Sequence, residues 1–276
     1  MEVGHQTDGG GTCRLDRIDE PRNESQDSGL PVVLIGASGS IGRSILRGLV
    51  ADGFAVYATV RSQSNVNQLE REFRDHSVSV CELDVEDYDA VRDLIDRVAV
   101  ETGGIYGLVY AVGMQSRRPI EEFHDIEISQ ILSVNLMGAV VASKSALKHM
   151  VQKRKGRIVF VGSLSSRFSI SGIAPYAMAK SGLSSWARSI AVEFAKLGVT
   201  ANTVLPGRIE SQMIADVLSD ERKKSTLSRI PSGRLGVPED VSNAVIFLVK
   251  EESSYINGSE IVVDGAWLAG GGNISG

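Results

Sequence analysis

From Leu30 onward, short apolar runs alternate with stretches of helical period, and this alternation confines the chain to a small set of folds. Seven runs have strand length, at 32–35, 55–60, 78–83, 107–111, 156–161, 199–205 and 260–264. They are close to continuously apolar, the pattern of strands covered on both faces. Helical patterns near 41–52, 64–74, 87–102, 127–152, 175–197 and 238–250 separate them and supply the crossovers that parallel pairing needs. The predicted fold class is α/β, a single doubly wound, seven-stranded parallel sheet with helices on both faces. A chain of 276 residues, 42% hydrophobic, is large enough for one well-developed core, and one domain over 30–276 is expected.

Residues 1–29 break the pattern. They are polar and glycine-rich, with Gly9-Gly10-Gly11 ahead of a charged stretch. Such a segment buries too little apolar surface to offset its ordering entropy, so a flexible tail is expected. A net charge of -5 and a pI near 5.5 count against nucleic acid as a partner, and the basic run Lys153-Arg154-Lys155 is short. Cys13 and Cys81 make neither a disulfide framework nor a metal spacing, and the four histidines are scattered, so no metal is expected. No uninterrupted apolar stretch reaches the about 20 residues of a bilayer span, and the N-terminus lacks a signal-peptide core. A cytoplasmic setting with no membrane partner is the expectation.

The first strand run opens into Gly36-Ala37-Ser38-Gly39-Ser40-Ile41-Gly42 and then an apolar helix. Glycines there let the backbone approach a pyrophosphate and aim the helix N-terminus at it, as in a Rossmann-type dinucleotide fold. No Lys-Ser/Thr pair closes the loop, which excludes a Walker-type phosphate site. After the second strand run stands Val60-Arg61-Ser62, where an acidic residue would hold an adenosine ribose. Arg61 can instead pair with a 2′-phosphate and stack on adenine, so NADP(H) is predicted over NAD.

Tyr176 and Lys180 lie four residues apart, on one face of a predicted helix. A phenol with an ordinary pKa of about 10 is a poor base at neutral pH. An ammonium beside it is expected to lower that value and give a group that passes a proton either way.

Taken in order, these residues resemble the short-chain dehydrogenase/reductase family over roughly residues 30–268. Gly36-x-x-x-Ser40-x-Gly42 matches its cofactor turn, with Ser40 at a glycine position and Gly39 one place earlier. Asp84-Val85 matches the pair after strand three, and Tyr110-Ala111-Val112-Gly113 stands at the family's Asn-Asn-Ala-Gly without either asparagine. Asn135 matches the helix-four asparagine, and Ser163, thirteen residues before Tyr176, matches the catalytic serine. The segment from Pro206 to Met213 resembles the Pro-Gly-x-Ile-x-Thr turn, with Ser211 for threonine, and Arg234 to Asp240 and Val263-Asp264-Gly265 also fit.

The resemblance implies a catalytic tetrad of Asn135, Ser163, Tyr176 and Lys180. Tyr176 would give the proton in reduction and take it in oxidation, while Lys180 depresses its pKa and binds the nicotinamide ribose. Ser163 would hold the carbonyl oxygen, and Asn135 a water linking Lys180 to solvent. Implied cofactor contacts come from Gly36, Ser38, Gly39, Ser40, Ile41 and Gly42, and from Arg61, Ser62, Asp84 and Val85. Others come from Ala111, Gly113, Tyr176, Lys180, Pro206, Gly207, Ile209 and Ser211.

Within the family the chain most resembles the 3-oxoacyl-acyl-carrier-protein reductases, which implies a thioester substrate on acyl carrier protein. Arg154 matches one carrier-docking position, and Leu197, beside Lys196, falls on the second. The alternatives are a dehydrogenase of a sugar, polyol, steroid or other secondary alcohol with the same tetrad, or a non-catalytic NADP sensor. Residues 210–232 are expected to form the substrate lid. The family's helix contacts imply a homotetramer or homodimer, with Trp186 and Phe194 at the contact or in the core.

Overall fold

Seven parallel strands, β1 (Pro31–Ile35), β2 (Ala55–Val60), β3 (Val78–Glu82), β4 (Gly107–Tyr110), β5 (Gly156–Val161), β6 (Val199–Pro206) and β7 (Glu260–Val263), form one sheet in the order β3-β2-β1-β4-β5-β6-β7. The computed structural model describes residues 29–74, 76–210 and 225–270. Apart from Gly29, the expected N-terminal tail lies outside the described residues, as do Ser211 and much of the expected lid. All seven strand runs read from the sequence form strands, and every pairing is parallel.

Adjacent residues of one strand serve opposite layers, because side chains alternate across a sheet. Val33 and Ile35 pack with helices α3 (Tyr88–Thr102), α5 (Gly138–Lys153) and α6 (Ala174–Phe194). Val32 and Leu34 pack with α1 (Ser40–Ala51), α2 (Gln63–Glu72) and, last in the chain, α7 (Pro238–Val249). All four strand residues have no exposed surface, and each fully buried aliphatic contributes roughly 1.5–3 kcal/mol. Helices α1 and α7 approach so closely that a Cβ at Gly48 would lie 2.0 Å from Ile246 Cδ1.

The long helical pattern near 127–152 is one run in three parts. Helix α4 (Asp125–Leu132) passes into a π-helical turn, Ser133–Met137, and continues as α5. By length and composition the run Asp125–Lys153 is enough to cross a bilayer. Here Ile131, Ala139, Ala142 and Ala146 are buried while Lys144 and Lys148 are exposed, the arrangement of a core helix.

Strand order reverses between β1 and β4, so the loops leaving these two strands diverge and open a crevice at the sheet's C-terminal edge. Ala111 N–H donates to Ile35 O at 2.8 Å, which holds the two strand ends side by side under that crevice.

Candidate active site

The glycine turn forms one wall. Gly36 has φ +97, a conformation that side chains other than glycine's rarely adopt, and a Cβ there would lie 2.8 Å from Val112 Cγ2. Its N–H and that of Ala37 donate to Thr59 O at 3.2 and 2.8 Å, tying the turn to β2. Gly42 brings the first turn of α1 against Gly36, whose carbonyl oxygen would be 2.0 Å from an added Cβ. Gly39 has open space beside it and Ser40 is exposed, so the serine at the family's glycine position obstructs nothing. The first turn of α1 carries no acidic residue and lines the cavity, where a helix N-terminus favours negative charge.

Tyr176 and Lys180 come from α6, whose first turn holds Pro175 where a missing N–H costs nothing. Lys180 is 1% exposed, and its Nζ donates to Val112 O and Val161 O at 3.0 Å each, the carbonyls just after β4 and at the end of β5. Burial pulls its pKa down to about 7. Its Nζ lies over the Tyr176 ring, 5.7 Å from the centroid.

Burial raises the Tyr176 phenol above its ordinary value, and a hydrogen bond from Ser163 works against that rise. The direction corrects the expectation that Lys180 would depress this phenol. The lysine sits against the ring face and, held near pKa 7, is only partly charged at neutral pH. The opposing influence comes from Ser163.

Asn135 is completely buried within the π-helical turn. Its Oδ1 accepts from Met114 N at 3.1 Å, and its Nδ2 donates to Met114 O at 2.7 Å and Ile131 O at 2.9 Å. The side chain therefore clamps the loop after β4, two residues from the carbonyl that holds Lys180. Tyr110, at the position of a family asparagine, reaches the same turn and donates its hydroxyl to Val134 O at 2.6 Å.

A cavity of about 360 Å³ joins these parts. Its wall includes Gly39 to Gly42 on one side, and Ser163, Tyr176 and Lys180 at its centre. Ala111, Gly113, Pro206, Gly207 and Ile209 complete the predicted residues that line it. Gly36, Ser38 and Asn135 lie behind the wall. Arg61, Ser62, Asp84 and Val85 stand on the neighbouring ends of β2 and β3, with Arg61 and Asp84 exposed and Val85 buried. Asp84 Oδ1 accepts Glu86 N–H at 3.0 Å. Ser211 is outside the described residues.

The sequence profile described as Enoyl-(Acyl carrier protein) reductase matches residues 36–267. The chain belongs to the short-chain dehydrogenase/reductase family. As a short-chain dehydrogenase/reductase it is an oxidoreductase acting on CH–OH and C=O groups, and the family uses NAD(P). It is 35% identical over 237 residues to the 3-oxoacyl-[acyl-carrier-protein] reductase FabG of Vibrio cholerae serotype O1, covering 86% of this chain and 96% of that one. A putative gluconate dehydrogenase from Agrobacterium tumefaciens superposes with a TM-score of 0.84 at 30% identity, covering 88% and 97% of the two chains. A gluconate 5-dehydrogenase from Burkholderia cenocepacia J2315, in complex with NADP and tartrate, gives 0.83 at 28%, covering 88% and 96%.

Four residues of this short-chain dehydrogenase/reductase site carry no family motif. Ser165 donates both its hydroxyl and its N–H to Ser163 Oγ. Arg117, Arg208 and Trp267 line the same cavity as Ser163 and Tyr176. The clustered hydroxyls of Ser163-Leu164-Ser165-Ser166 were a visible signal for the first, whereas nothing in the sequence distinguished the two arginines from surface cations.

Proposed function

We propose that this chain is an NADP(H)-dependent reductase that converts a carbonyl to a secondary alcohol, and runs the reverse oxidation, with Tyr176 as the proton-transfer group. The observation that carries it is the meeting of Ser163, Tyr176 and buried Lys180 on one cavity wall shared with Gly39 to Gly42. The residues present fit a dinucleotide: the space at Gly39, the acid-free first turn of α1 and exposed Arg61 suit a pyrophosphate and a 2′-phosphate. The NADP bound by the gluconate 5-dehydrogenase neighbour supports that choice.

When bound, the cofactor supplies or accepts a hydride. In reduction Tyr176 gives its proton to the carbonyl oxygen, and in oxidation the phenolate takes it back. Ser163 donates to the same oxygen and steadies the charge that grows on it. Lys180, whose proton is loosely held, is the reserve on the Tyr176 side of the pocket. With Tyr176 it would hold the nicotinamide ribose. Asn135 acts by fixing the loop that positions Lys180.

The first substrate reading is a 3-oxoacyl thioester on acyl carrier protein. The names of the curated relatives support it, as does the placement of Arg154, whose Nη2 donates to Lys196 O at 2.8 Å and so draws two basic residues together on the surface. A second reading, a sugar-like secondary alcohol, is favoured by the two arginines on the cavity wall and by the gluconate dehydrogenases among the structural neighbours. NADPH oxidation with acetoacetyl thioesters, set beside NADP-linked oxidation of an alcohol panel, separates them. Activity in the second assay alone rejects the thioester reading. NADPH binding without turnover in either assay returns the sensor alternative.

A cytoplasmic setting, a substrate lid over 210–232 and a single domain over 30–276 belong to the same reading. So does a homotetramer, with a homodimer as the alternative. Exposed Val192, Phe247 and Val262 support assembly, while Trp186 and Phe194 pack against the core, where Trp186 Nε1 donates to Ser143 Oγ at 2.9 Å.

A further inference from the structure

Two arginines, Arg117 and Arg208, line the cavity of Ser163 and Tyr176, and neither is ion-paired among the described residues. Arg208 follows β6, and its backbone is fixed: its carbonyl accepts Gly236 N–H at 2.9 Å, and Glu210 N–H donates to Gly236 O at 2.7 Å. Its guanidinium lies over Trp267, 5.5 Å from the ring centroid. Arg117 comes from the loop after β4 and packs against the loop between Ser163 and Tyr176, where a Cβ on Gly172 would lie 2.9 Å from its Cγ. Adjacent Arg118 pairs with Glu127 at 3.2 Å, whereas neither Arg117 nor Arg208 has an ion pair among the described residues. Glu210, the carboxylate on the cavity wall, acts on Arg234.

Both arginines line the cavity together with Ser163 and Tyr176. Their charges are close enough to be felt, since burial first and Arg117 second weaken the hold of Arg208 on its proton. Two like charges facing one partly buried space repel each other, and an oxyanion between them relieves both. Guanidinium forks match the paired oxygens of a carboxylate or phosphate.

We infer that Arg117 and Arg208 form an oxyanion-binding pair, so that the substrate of this site carries an acid group of its own, as a hydroxy acid, keto acid or phosphorylated ketone does. The inference rests on the oxidoreductase reading of Ser163, Tyr176 and Lys180, and it selects among the substrates of that reading. The acid group would anchor the molecule while the carbon to be oxidised or reduced meets Tyr176. Trp267, whose ring lies under the Arg208 guanidinium, lines the same cavity.

Two matched pairs test it: gluconate against glucitol with NADP+, and dihydroxyacetone phosphate against dihydroxyacetone with NADPH. At least one anionic member is expected to exceed its neutral partner in kcat/KM by tenfold or more. The first pair reports a carboxylate and the second a phosphate. Arg117→Gln and Arg208→Gln should each cut that ratio about tenfold, mainly through KM, with partial recovery in the lysine variants. Tartrate titrated calorimetrically into NADP+-loaded Tyr176→Phe protein should bind, and weaken about tenfold when Arg117→Gln is added. A preference for the neutral members, or a ratio that neither arginine substitution changes, overturns the inference. So does an Arg208→Gln variant that loses NADP+ affinity while the ratio stays intact. If tartrate binds through the arginines but neither these pairs nor the thioesters and alcohol panel are turned over, the anion site stands and the oxidoreductase reading fails.

Discussion

Ser165 donates its hydroxyl to Ser163 Oγ at 3.0 Å, and its N–H to the same atom at 3.2 Å. With its lone pairs engaged, Ser163 has its own proton free for Tyr176, which is the bond that opposes the rise in the phenol's pKa. Ser165 is thus a positioning residue. Ser165→Ala should shift the rising limb of the pH–rate profile for alcohol oxidation to higher pH, because the phenolate becomes harder to form. Ser165→Thr, which keeps the hydroxyl, should restore it. An unshifted profile in the alanine variant would show that Ser163 needs no such support.

Tyr176→Phe removes the proton-transfer oxygen and little else. Turnover should fall by about 10²–10⁴-fold, the usual contribution of general acid–base catalysis. NADPH binding, followed by fluorescence titration, should stay within a few-fold of the parent.

Lys180 makes stability depend on pH. Its pKa falls from 10.5 in the unfolded chain to about 7 when folded, so between those values the unfolded state binds more protons. Its contribution is a penalty, fully present below pH 7 and relieved as pH rises toward 10.5. Urea unfolding should therefore show Lys180→Met stabilised relative to the parent at pH 7, with a smaller advantage at pH 9. An equal advantage at both values would mean that the lysine stays fully charged in the folded protein.

Arg61 is the residue on which the choice of NADP(H) rests. With NADP(H) bound as proposed, Arg61→Asp would remove a charged hydrogen bond to the 2′-phosphate and add repulsion. The ratio of kcat/KM for NADP+ over NAD+ should drop by about 10–100-fold. No change in that ratio would assign the 2′-phosphate to other residues.

Tyr110→Phe leaves Val134 O buried without its donor. The cost should be about 1–3 kcal/mol in urea unfolding. A neutral substitution would mean that the π-helical turn satisfies this carbonyl by itself.

The sheet was legible because buried parallel strands write themselves as unbroken apolar runs, and strands such as β1, β2 and β5 fall where those runs do. The π-helical turn at Ser133–Met137 was not legible, since one wide turn leaves the hydrophobic period almost untouched. Ser163, Tyr176 and Lys180 could be singled out from spacing, and all three line one cavity. The direction of the Tyr176 shift could not, because it depends on how deeply phenol and ammonium are buried. Arg117 and Arg208 stand far apart in sequence, and only the crossover from β4 to β6 makes them neighbours. Tyr110, where the family resemblance has an asparagine, donates its hydroxyl to Val134 O in that wide turn.

The wide turn around Asn135 amounts to one residue more than a regular helix would hold there. Each residue of an α-helix turns the next by about 100°. Deleting one residue within Ser133–Met137 would let α4 and α5 run on as a more regular helix while swinging Asn135 away from Met114. Selection for thermal robustness alone would thus favour a more regular helix with an unlatched loop under Lys180. The wide turn is an irregularity that the helix keeps on behalf of its neighbour.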